Sequence, residues 1–340
     1  MAVPTMRMGL VGFADERQPL NLLMTRNRNL QWERWPFMEA DALWINGANA
    51  QPLRNHMVRI PAVDPTKSAT VLNLKEMDRP TAFTMPFGDG FFSPPLAFDP
   101  HKVDQVADVL NQFEADLQAL ALDLTLAAEI AARRHDLASP TYHLSVRGRL
   151  VGVVSVSGDI GIAQDIPPCE FVHAEWAGRP LAGAEIPSHF RRTTMAQVMW
   201  SYVMRNVDDL LPSRYREGTI YWRRAPAVPV RFVREEHMTL ISVLSTGPQS
   251  VASLVESTGF SQAVVRQGLA ALYFGGSLTT DPRRAGPTRA AKATKDEGWP
   301  SSMTSSFQPQ KLFAVTAPPR PRHGRADMPT VPQPLEPGTD

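Results

Sequence analysis

Cysteine is almost absent from this chain: Cys169 is the one cysteine among 340 residues. A single thiol excludes an intramolecular disulfide framework and any zinc site that depends on several cysteines. The eight histidines include no pair at the i,i+3 or i,i+4 spacing of a metal site on a helix. Glycine-rich loops followed by Lys-Ser or Lys-Thr, which cradle phosphates, are also missing. We therefore expect no metal, no cofactor and no catalytic residues.

Long apolar runs and an excess of one charge are lacking as well. The most apolar stretch, residues 117–132, is interrupted by Gln118, Asp123 and Glu129, which argues against a membrane span. The first residues show no apolar segment with a small-residue cleavage site, so a secretory signal peptide is not expected. Lysine and arginine number 35 against 34 acidic residues, so a contact with nucleic acid would have to be local. These features favour a cytoplasmic protein without membrane contacts.

The apolar residues, 43% of the chain, are enough for several cores. In residues 1–99, four short apolar runs predict strands, and they lie at 6–13, 42–45, 70–74 and 81–84. Residues 17–29 carry apolar side chains at helical spacing between the first two runs. Strand, helix and strand in this order predict a small α/β domain with a largely parallel sheet.

Residues 100–135 form the next segment, of which 100–134 predict one long helix with Asp99 as its N-cap and Pro100 at its first position. Its apolar side chains alternate in steps of three and four: Val103, Val106, Leu110, Phe113, Leu117, Leu120, Leu124, Ala127 and Ala131. Such a stripe is typical of a coiled-coil seam and would suit a homodimer. The flanking positions hold alanines and no opposite charges that could pair across a dimer, which would suit a helix packed on the protein's own core. The sequence leaves both alternatives open.

Residues 136–233 predict a mixed α+β region. A β segment is expected at 142–162, with Arg147-Gly148 turning a hairpin. Three further elements are expected in this region: an amphipathic helix at 188–211 capped by Ser188, and strands at 220–222 and 228–233.

Residues 282–340 contain eleven prolines among 59 residues and carry nine basic against five acidic side chains. Such a segment buries too little apolar surface to fold, so we expect a disordered, basic, proline-rich tail. The fold expected for the whole chain is therefore α/β plus α+β, divided among several domains.

Residues 234–281 carry three predicted helices, at 236–244, 250–257 and 261–272, with Gly259 in the turn between the last two. After them, 273–274 and 277–280 predict a two-stranded wing around Gly275-Gly276. This order of elements resembles the winged helix-turn-helix superfamily.

The resemblance implies that the helix after the turn enters the major groove of DNA. The matching positions are Ser261, Gln262, Val265 and Arg266, of which Gln262 would pair with adenine and Arg266 with guanine. Past the wing, Arg283 and Arg284 would contact phosphates or a narrow minor groove.

Two further features of the sequence bear on this interface. The basic pairs Arg191-Arg192 and Arg223-Arg224 would form a phosphate-binding stripe if they lay on one face with Arg283 and Arg284. Winged helices also serve as protein-interaction modules, and the helix after the turn has one arginine and no lysine. Docking on protein therefore stands as the alternative to DNA binding.

Polar residues follow the strands of the N-terminal domain. Asp15 and Glu16 follow the first strand, Asn46 ends the strand at 42–45, and Met85-Pro86 follow the strand at 81–84. This arrangement is similar to the receiver domains of two-component response regulators. Those domains have an acidic pair, a phospho-accepting Asp and a Lys-Pro at the corresponding places.

Asn46 stands where the resemblance puts the Asp, and Met85 where it puts the Lys. An amide cannot attack a phosphoryl donor as a carboxylate does, and without the lysine nothing pairs with the phosphoryl group. The resemblance therefore implies a receiver-like domain that cannot be phosphorylated at this position. Another small α/β sheet domain is the alternative.

Together these features predict a non-enzymatic cytoplasmic regulatory protein, either a transcriptional regulator or a signalling adaptor. Its winged-helix unit would deliver the output, its receiver-like domain would take the input, and its partner would be DNA or a signalling protein. The alternative is a structural or protein-interaction module whose winged helix packs on protein and binds no DNA. An enzyme is not expected, because no acid, base and nucleophile converge in the sequence.

Overall fold

The computed structural model describes residues 4–13, 30–62, 68–87, 94, 96–134, 136–155, 158–180, 185–206 and 209–287. The chain divides into two units, Met1–Lys295 and Asp296–Asp340, and the second lies wholly outside the described residues. The described part combines helices with four sheets, so the mixed α and β content predicted from the sequence is confirmed. Within this part, no helix is both long enough and apolar enough to cross a bilayer. Of the predicted tail, only residues 282–287 are described.

The N-terminal part is built on a parallel sheet. Its strands in chain order are β1 (Thr5–Val11), β2 (Gln31–Arg34), β3 (Ala42–Asn46), β4 (Gln51–Pro52), β5 (Met57–Ile60), β6 (Thr70–Asn73), β7 (Thr81–Thr84) and β8 (Ala97–Phe98). Five of them are parallel neighbours in the order β2-β1-β3-β7-β8. The remaining three, β4, β5 and β6, form a small antiparallel sheet inserted between β3 and β7.

The two faces of the parallel sheet carry separate cores, because successive side chains of a strand point to opposite faces. Met6 and Met8 of β1 lie with Trp44 of β3 in one core, which also contains the first half of the long helix described below. Leu43 and Ile45 of β3 lie in the other, against the inserted antiparallel sheet.

Most strand predictions for this region are confirmed. The runs at 6–13, 42–45 and 81–84 contain β1, β3 and β7 of the parallel sheet. The run at 70–74 is also a strand, β6, and it pairs with β5 in the inserted antiparallel sheet. The helix predicted at 17–29 lies outside the described residues.

One long helix, α1 (Val103–Arg133), follows the sheet. The predicted start was wrong: Lys102 is the N-cap, and no side chain caps the helix. Asp99 caps a separate turn instead, since its Oδ1 accepts the N–H of His101 at 3.0 Å and its backbone carbonyl accepts the N–H of Lys102 at 3.0 Å. This turn takes up three residues, so α1 begins only at Val103.

The heptad stripe of α1 faces the protein's own core. Six of its nine positions are buried: Val106, Leu110, Phe113, Leu117, Leu124 and Ala127. Side chains outside the stripe, such as Leu122 and Leu126, are buried as well, because the second half of the helix packs on a second sheet. The helix therefore packs on the protein's own core, which was the second of the two alternatives left open by the sequence. A coiled-coil dimer formed through the same residues would require the helix to detach from this core.

That second sheet is antiparallel. The central elements are β9 (Thr141–Val146), β10 (Arg149–Ser155), β11 (Asp159–Ile162), α2 (Pro168–Phe171), β12 (Glu175–Arg179) and β13 (Arg191–Thr194), with the strand order β12-β9-β10-β11-β13. The predicted hairpin is confirmed: Arg147 and Gly148 both have positive φ, 51° and 78°, as a type I′ turn requires.

The helix predicted at 188–211 was wrong in its first part and too long at its end. Its beginning is β13, which pairs with β11, and the helix itself is α3 (Met195–Val203). Thr194 caps it by accepting the N–H of Gln197 on its Oγ1 at 3.2 Å, so Ser188 is not the cap. Pairing with the strand β11 decides the structure of residues 191–194, and the apolar face of the helix begins only at Met195.

The C-terminal elements are α4 (Ser213–Glu217), β14 (Tyr221–Trp222), α5 (Glu235–Thr246), α6 (Val251–Thr258), α7 (Gln262–Phe274) and β15 (Leu278–Thr279). The three predicted helices are thus confirmed within one or two residues at each end. The strand predicted at 228–233 was wrong, since Val230–Phe232 is a 3-10 turn.

The predicted wing was also wrong. Residues 273–274 belong to the last turn of α7, which ends with Gly275 as its C-cap. The strand after it, β15, pairs with β14, which precedes all three helices, in the register Tyr221–Thr279 and Trp222–Leu278. A strand from earlier in the chain thus takes the place of the expected hairpin.

Candidate functional site

The first candidate place is the edge where the parallel strands β1, β3 and β7 end. The side-chain amide of Asn46 donates from Nδ2 to the carbonyl of Gly12 at 3.0 Å, and that of Asn49 donates to the same carbonyl at 2.7 Å. The Oδ1 of Asn46 accepts the N–H of Ala48 at 3.1 Å. Both ends of the Asn46 amide therefore hold backbone in place.

The two degenerate receiver positions are neighbours at this edge. Asn46 pairs in register with Thr84, and Met85 follows Thr84 directly. Met85 is 38% exposed, and its N–H donates to the carbonyl of Phe98 at 2.8 Å. The two positions carry an amide and a thioether, so neither offers the charge that phosphoryl transfer needs. Asp15 and Glu16 lie outside the described residues.

The second candidate place is the helix-turn-helix formed by α6 and α7. Gly259 ends α6 in the left-handed conformation, with φ 70°, and Ser261 caps α7 by accepting the N–H of Val264 on its Oγ at 3.4 Å. The first turn of α7 is open: Ser261 and Gln262 are exposed. Val265 is fully buried, so it cannot be the base contact suggested by the resemblance.

Arg266, the other predicted base-reading residue, is held by a carboxylate. Its Nη1 lies 3.3 Å from the Oδ2 of Asp209, which also lies 3.5 Å from the Nη1 of Arg216. Next to it, Gln267 donates from Nε2 to the carbonyls of Val203 and Asn206 at 3.0 and 3.1 Å, which fixes α7 against the end of α3. Arg266 would have to leave Asp209 in order to reach a base.

The third candidate place is an arginine cluster at the β14–β15 ladder, which we define as Arg214, Arg223, Arg224, Arg283 and Arg284. Three of its members, Arg214, Arg223 and Arg284, line one cavity of about 280 Å³. Tyr215, Tyr273 and the carboxylate of Asp281 line the same cavity.

Backbone hydrogen bonds assemble this cluster from three segments of the chain. The N–H of Arg223 donates to the carbonyl of Ser277 at 2.8 Å, and the N–H of Gly286 donates to the carbonyl of Trp222 at 2.8 Å. The Oδ1 of Asp281 accepts the N–H of Arg283 at 2.9 Å and so caps the 3-10 turn Pro282–Arg284. Arg223 and Arg284 are therefore brought together, as the conditional stripe prediction required.

The charge of the cluster is only partly balanced. Among the described residues, no ion pair involves any of the five arginines. Asp281 is the carboxylate that shares the cavity. By contrast, Arg191 pairs with Asp123 on α1, so the pair Arg191-Arg192 contributes to a different part of the fold. The cluster is suited to binding an anion such as a phosphate group.

Sequence reasoning missed Arg214 and His237. Arg214 joins the cluster only because α4 packs near β14, and nothing local marks it. His237 is buried in α5, where its Nδ1 accepts the N–H of Arg234 at 3.1 Å and its ring lies 4.7 Å from that of Trp200. Burial lowers the pKa of His237 to about 4, with nearby Arg234 acting in the same direction and Glu236 opposing. A histidine three residues after the N-cap of a helix was the available signal.

Comparison with known proteins gives no assignment. No protein-family model, no curated protein and no solved structure matches this chain. Within the residues that the structure describes, no three His, Cys, Asp or Glu side chains are grouped so that they could hold a metal ion.

Proposed function

We propose that this protein is a non-enzymatic regulator whose C-terminal helix-turn-helix unit binds DNA. The observation that carries the proposal is the arginine cluster: three of its five arginines line one cavity, and none of the five forms an ion pair among the described residues. Residues 209–287 contain nine arginines against six acidic residues, so this part is basic although the whole chain is nearly neutral. Contacts with phosphate dominate the affinity of proteins for DNA, and a local basic surface is what they need.

The two ends of α7 have different tasks in this proposal. The arginine cluster lies by its C-terminal end, where Tyr273 lines the same cavity, and the open first turn with Ser261 and Gln262 lies at the other end. A helix of this length spans about 20 Å. Phosphate contacts position a protein on the duplex and base contacts specify sequence, so the cluster would supply affinity and Gln262 the reading of bases.

The N-terminal domain would be the input. Numbered within the sheet, its parallel strands have the order 2-1-3-4-5, which is the order of the flavodoxin-like doubly wound folds. Asn46 at the end of the third strand supports the idea of a receiver-like domain that has lost phosphorylation. The inserted antiparallel sheet between β3 and β7 stands where a crossover helix is usual in such folds, which favours the alternative of another α/β sheet domain.

Removing two arginines of the cluster is expected to weaken DNA binding on the order of tenfold and to lower the salt slope by about two, because two phosphate contacts are lost. The variant is Arg223→Ala/Arg284→Ala, and the measurement is fluorescence anisotropy of the full chain with labelled random duplex DNA at several salt concentrations. Arg179→Ala, an exposed arginine on β12, is the matched control and should leave the affinity unchanged.

Absence of binding at low salt, or equal binding by the double variant, would contradict the proposal and favour the second candidate function. In that candidate the unit docks on protein and contacts no DNA. Its support is specific: Arg266 is held by Asp209, Gln267 fixes α7 to α3, and Val264 exposes an apolar side chain in the first turn.

Acetyl phosphate is expected to leave position 46 unmodified, because the Asn46 amide is not a nucleophile and both of its ends are hydrogen-bonded. The measurement is mass spectrometry of the full chain after incubation with acetyl phosphate and magnesium. Stoichiometric phosphorylation that persists in Asn46→Ala would show that another residue is the acceptor, and the receiver-like interpretation built on Asn46 would be withdrawn.

A further inference from the structure

A cavity lies between the start of the parallel sheet, the second half of α1 and the end of α3. Its volume is about 500 Å³, within the range of small-molecule sites. One wall is the face of α1 that carries Leu124, Ala128, Glu129 and Ala132, which repeat at helical spacing. Because alanine side chains are small, Ala128 and Ala132 leave space that larger side chains would fill.

The rest of the wall mixes aromatic and apolar groups with a few charges. Trp35 follows β2, and Tyr202 belongs to α3. Val172 and Pro4 add apolar surface. An apolar enclosure with few polar groups is the usual composition of a site for a small organic molecule.

The two arginines of this cavity are already engaged. Arg205 binds the carboxylate of Asp41 with both terminal nitrogens, one of them at 2.8 Å. Arg7 donates from Nη2 to the carbonyl of Arg205 at 2.8 Å, stacks on the ring of Trp35 at 3.7 Å and lies 3.8 Å from Glu39. Their charges are thus balanced within the protein.

The carboxylates of the cavity are less completely satisfied than its arginines. Glu129 is 97% buried by its side chain, and its Oε2 accepts from the Nε of Arg133 at 3.1 Å. Its Oε1 is buried with no hydrogen-bond partner among the described residues. Glu33, which is exposed and lines the cavity on the side of the parallel sheet, forms no ion pair with any other described residue. A buried carboxylate oxygen without a donor is destabilising, and a positive charge placed beside Glu129 would offset part of that cost.

We infer that this cavity binds a small organic cation with a flat apolar body, such as an aromatic amine or amidine, whose positive charge lies beside the carboxylate of Glu129. The apolar body lies between the alanines of α1 and the aromatic rings of Trp35 and Tyr202. Glu33 adds attraction for the positive charge at the sheet side. This inference is independent of DNA binding.

Benzamidine is the probe for this class, and benzoate has the same ring with the opposite charge. Isothermal titration of the full chain is expected to give one benzamidine site and at least tenfold weaker binding of benzoate. Ala132→Leu narrows the cavity from an exposed position and should weaken benzamidine at least tenfold without loss of folding. Glu129→Gln should weaken benzamidine to a similar extent, because the charge is removed while the shape is kept.

Ala107→Leu, an exposed alanine on α1 that does not line this cavity, is the matched control and should bind benzamidine as the wild type does. Benzoate binding as tight as benzamidine, benzamidine binding that survives both Ala132→Leu and Glu129→Gln, or no benzamidine binding at all would each overturn the inference.

Discussion

Replacement of Asp41 by alanine is expected to lower the free energy of unfolding by about 3–5 kcal/mol, because it leaves buried arginine charge without a partner. Asp41 is 5% exposed by its side chain and accepts from both terminal nitrogens of Arg205. It also accepts the backbone N–H of Arg7 at 2.9 Å. One carboxylate thus joins β1, the start of β3 and the end of α3. Urea unfolding of the full chain, followed by tryptophan fluorescence, measures the effect.

Two comparisons separate this explanation from a general loss of stability. Asp165→Ala removes an exposed carboxylate that pairs with Arg149, and its unfolding midpoint should match the wild type. Asp41→Ala/Arg205→Met should recover part of the loss, because the unpaired charge is removed together with its partner. A double variant as unstable as Asp41→Ala, or an Asp41→Ala variant as stable as wild type, would contradict the interpretation.

Acidification from pH 7 to pH 5 is expected to lower the free energy of unfolding by about 2 kcal/mol through His237. The reason is that folding lowers the pKa of this histidine to about 4 from the ordinary value of 6.5. Below pH 6.5 the unfolded chain binds a proton on this histidine while the folded chain does not. Stability from this site is therefore complete above pH 6.5 and falls as the pH drops toward 4. The Nε2 of His237 is buried and has no partner among the described residues, so protonation has nothing to compensate it.

His237→Gln tests this directly. Glutamine cannot titrate, yet at the third position of a helix it can still accept the N–H of Arg234. The free energy of unfolding of wild type and variant should be measured by urea at pH 7, 6 and 5. The wild type is expected to lose about 2 kcal/mol more than the variant across this range. Parallel pH dependences would show that His237 is not the group responsible.

The sequence predicted the helix-turn-helix well because its signals are local. Ser250 and Ser261 cap their own helices, and Gly259 takes the left-handed conformation that ends α6. Each of these contacts joins residues no more than four apart, so the pattern of caps and apolar spacing is sufficient. The hairpin at Arg147-Gly148 was predictable for the same reason.

The sequence-based predictions were wrong where the structure of a segment depends on a strand that is distant in the chain. The predicted helix was extended back to Ser188 from an apolar face that begins at Met195, yet β11 pairs with residues 191–194 in its ladder. The wing was expected between neighbouring segments, but β15 pairs with Tyr221 and Trp222, more than fifty residues earlier. Periodicity cannot reveal such a choice, because the hydrogen-bond partner is not part of the local pattern.

The candidate sites divide in the same way. Asn46 at a strand end and Gln262 at a helix start could be named from the sequence, because strand ends and caps are local features. The arginine cluster needed the fold to bring Arg214 and Arg223 beside Arg284, although Arg223 and Arg284 had been named as members of a possible stripe.

By itself, the sequence determined the class of structure, most strands, the long helix, the three C-terminal helices and the scarcity of metal-binding and catalytic patterns. Tertiary structure alone decided that the heptad stripe of α1 faces the core, that Asp41 joins Arg7 to Arg205, and that a cavity opens beside Glu129. The physical reason is range: the hydrogen bond between Arg7 and the carbonyl of Arg205 spans 198 positions, and only packing of whole elements brings such residues together.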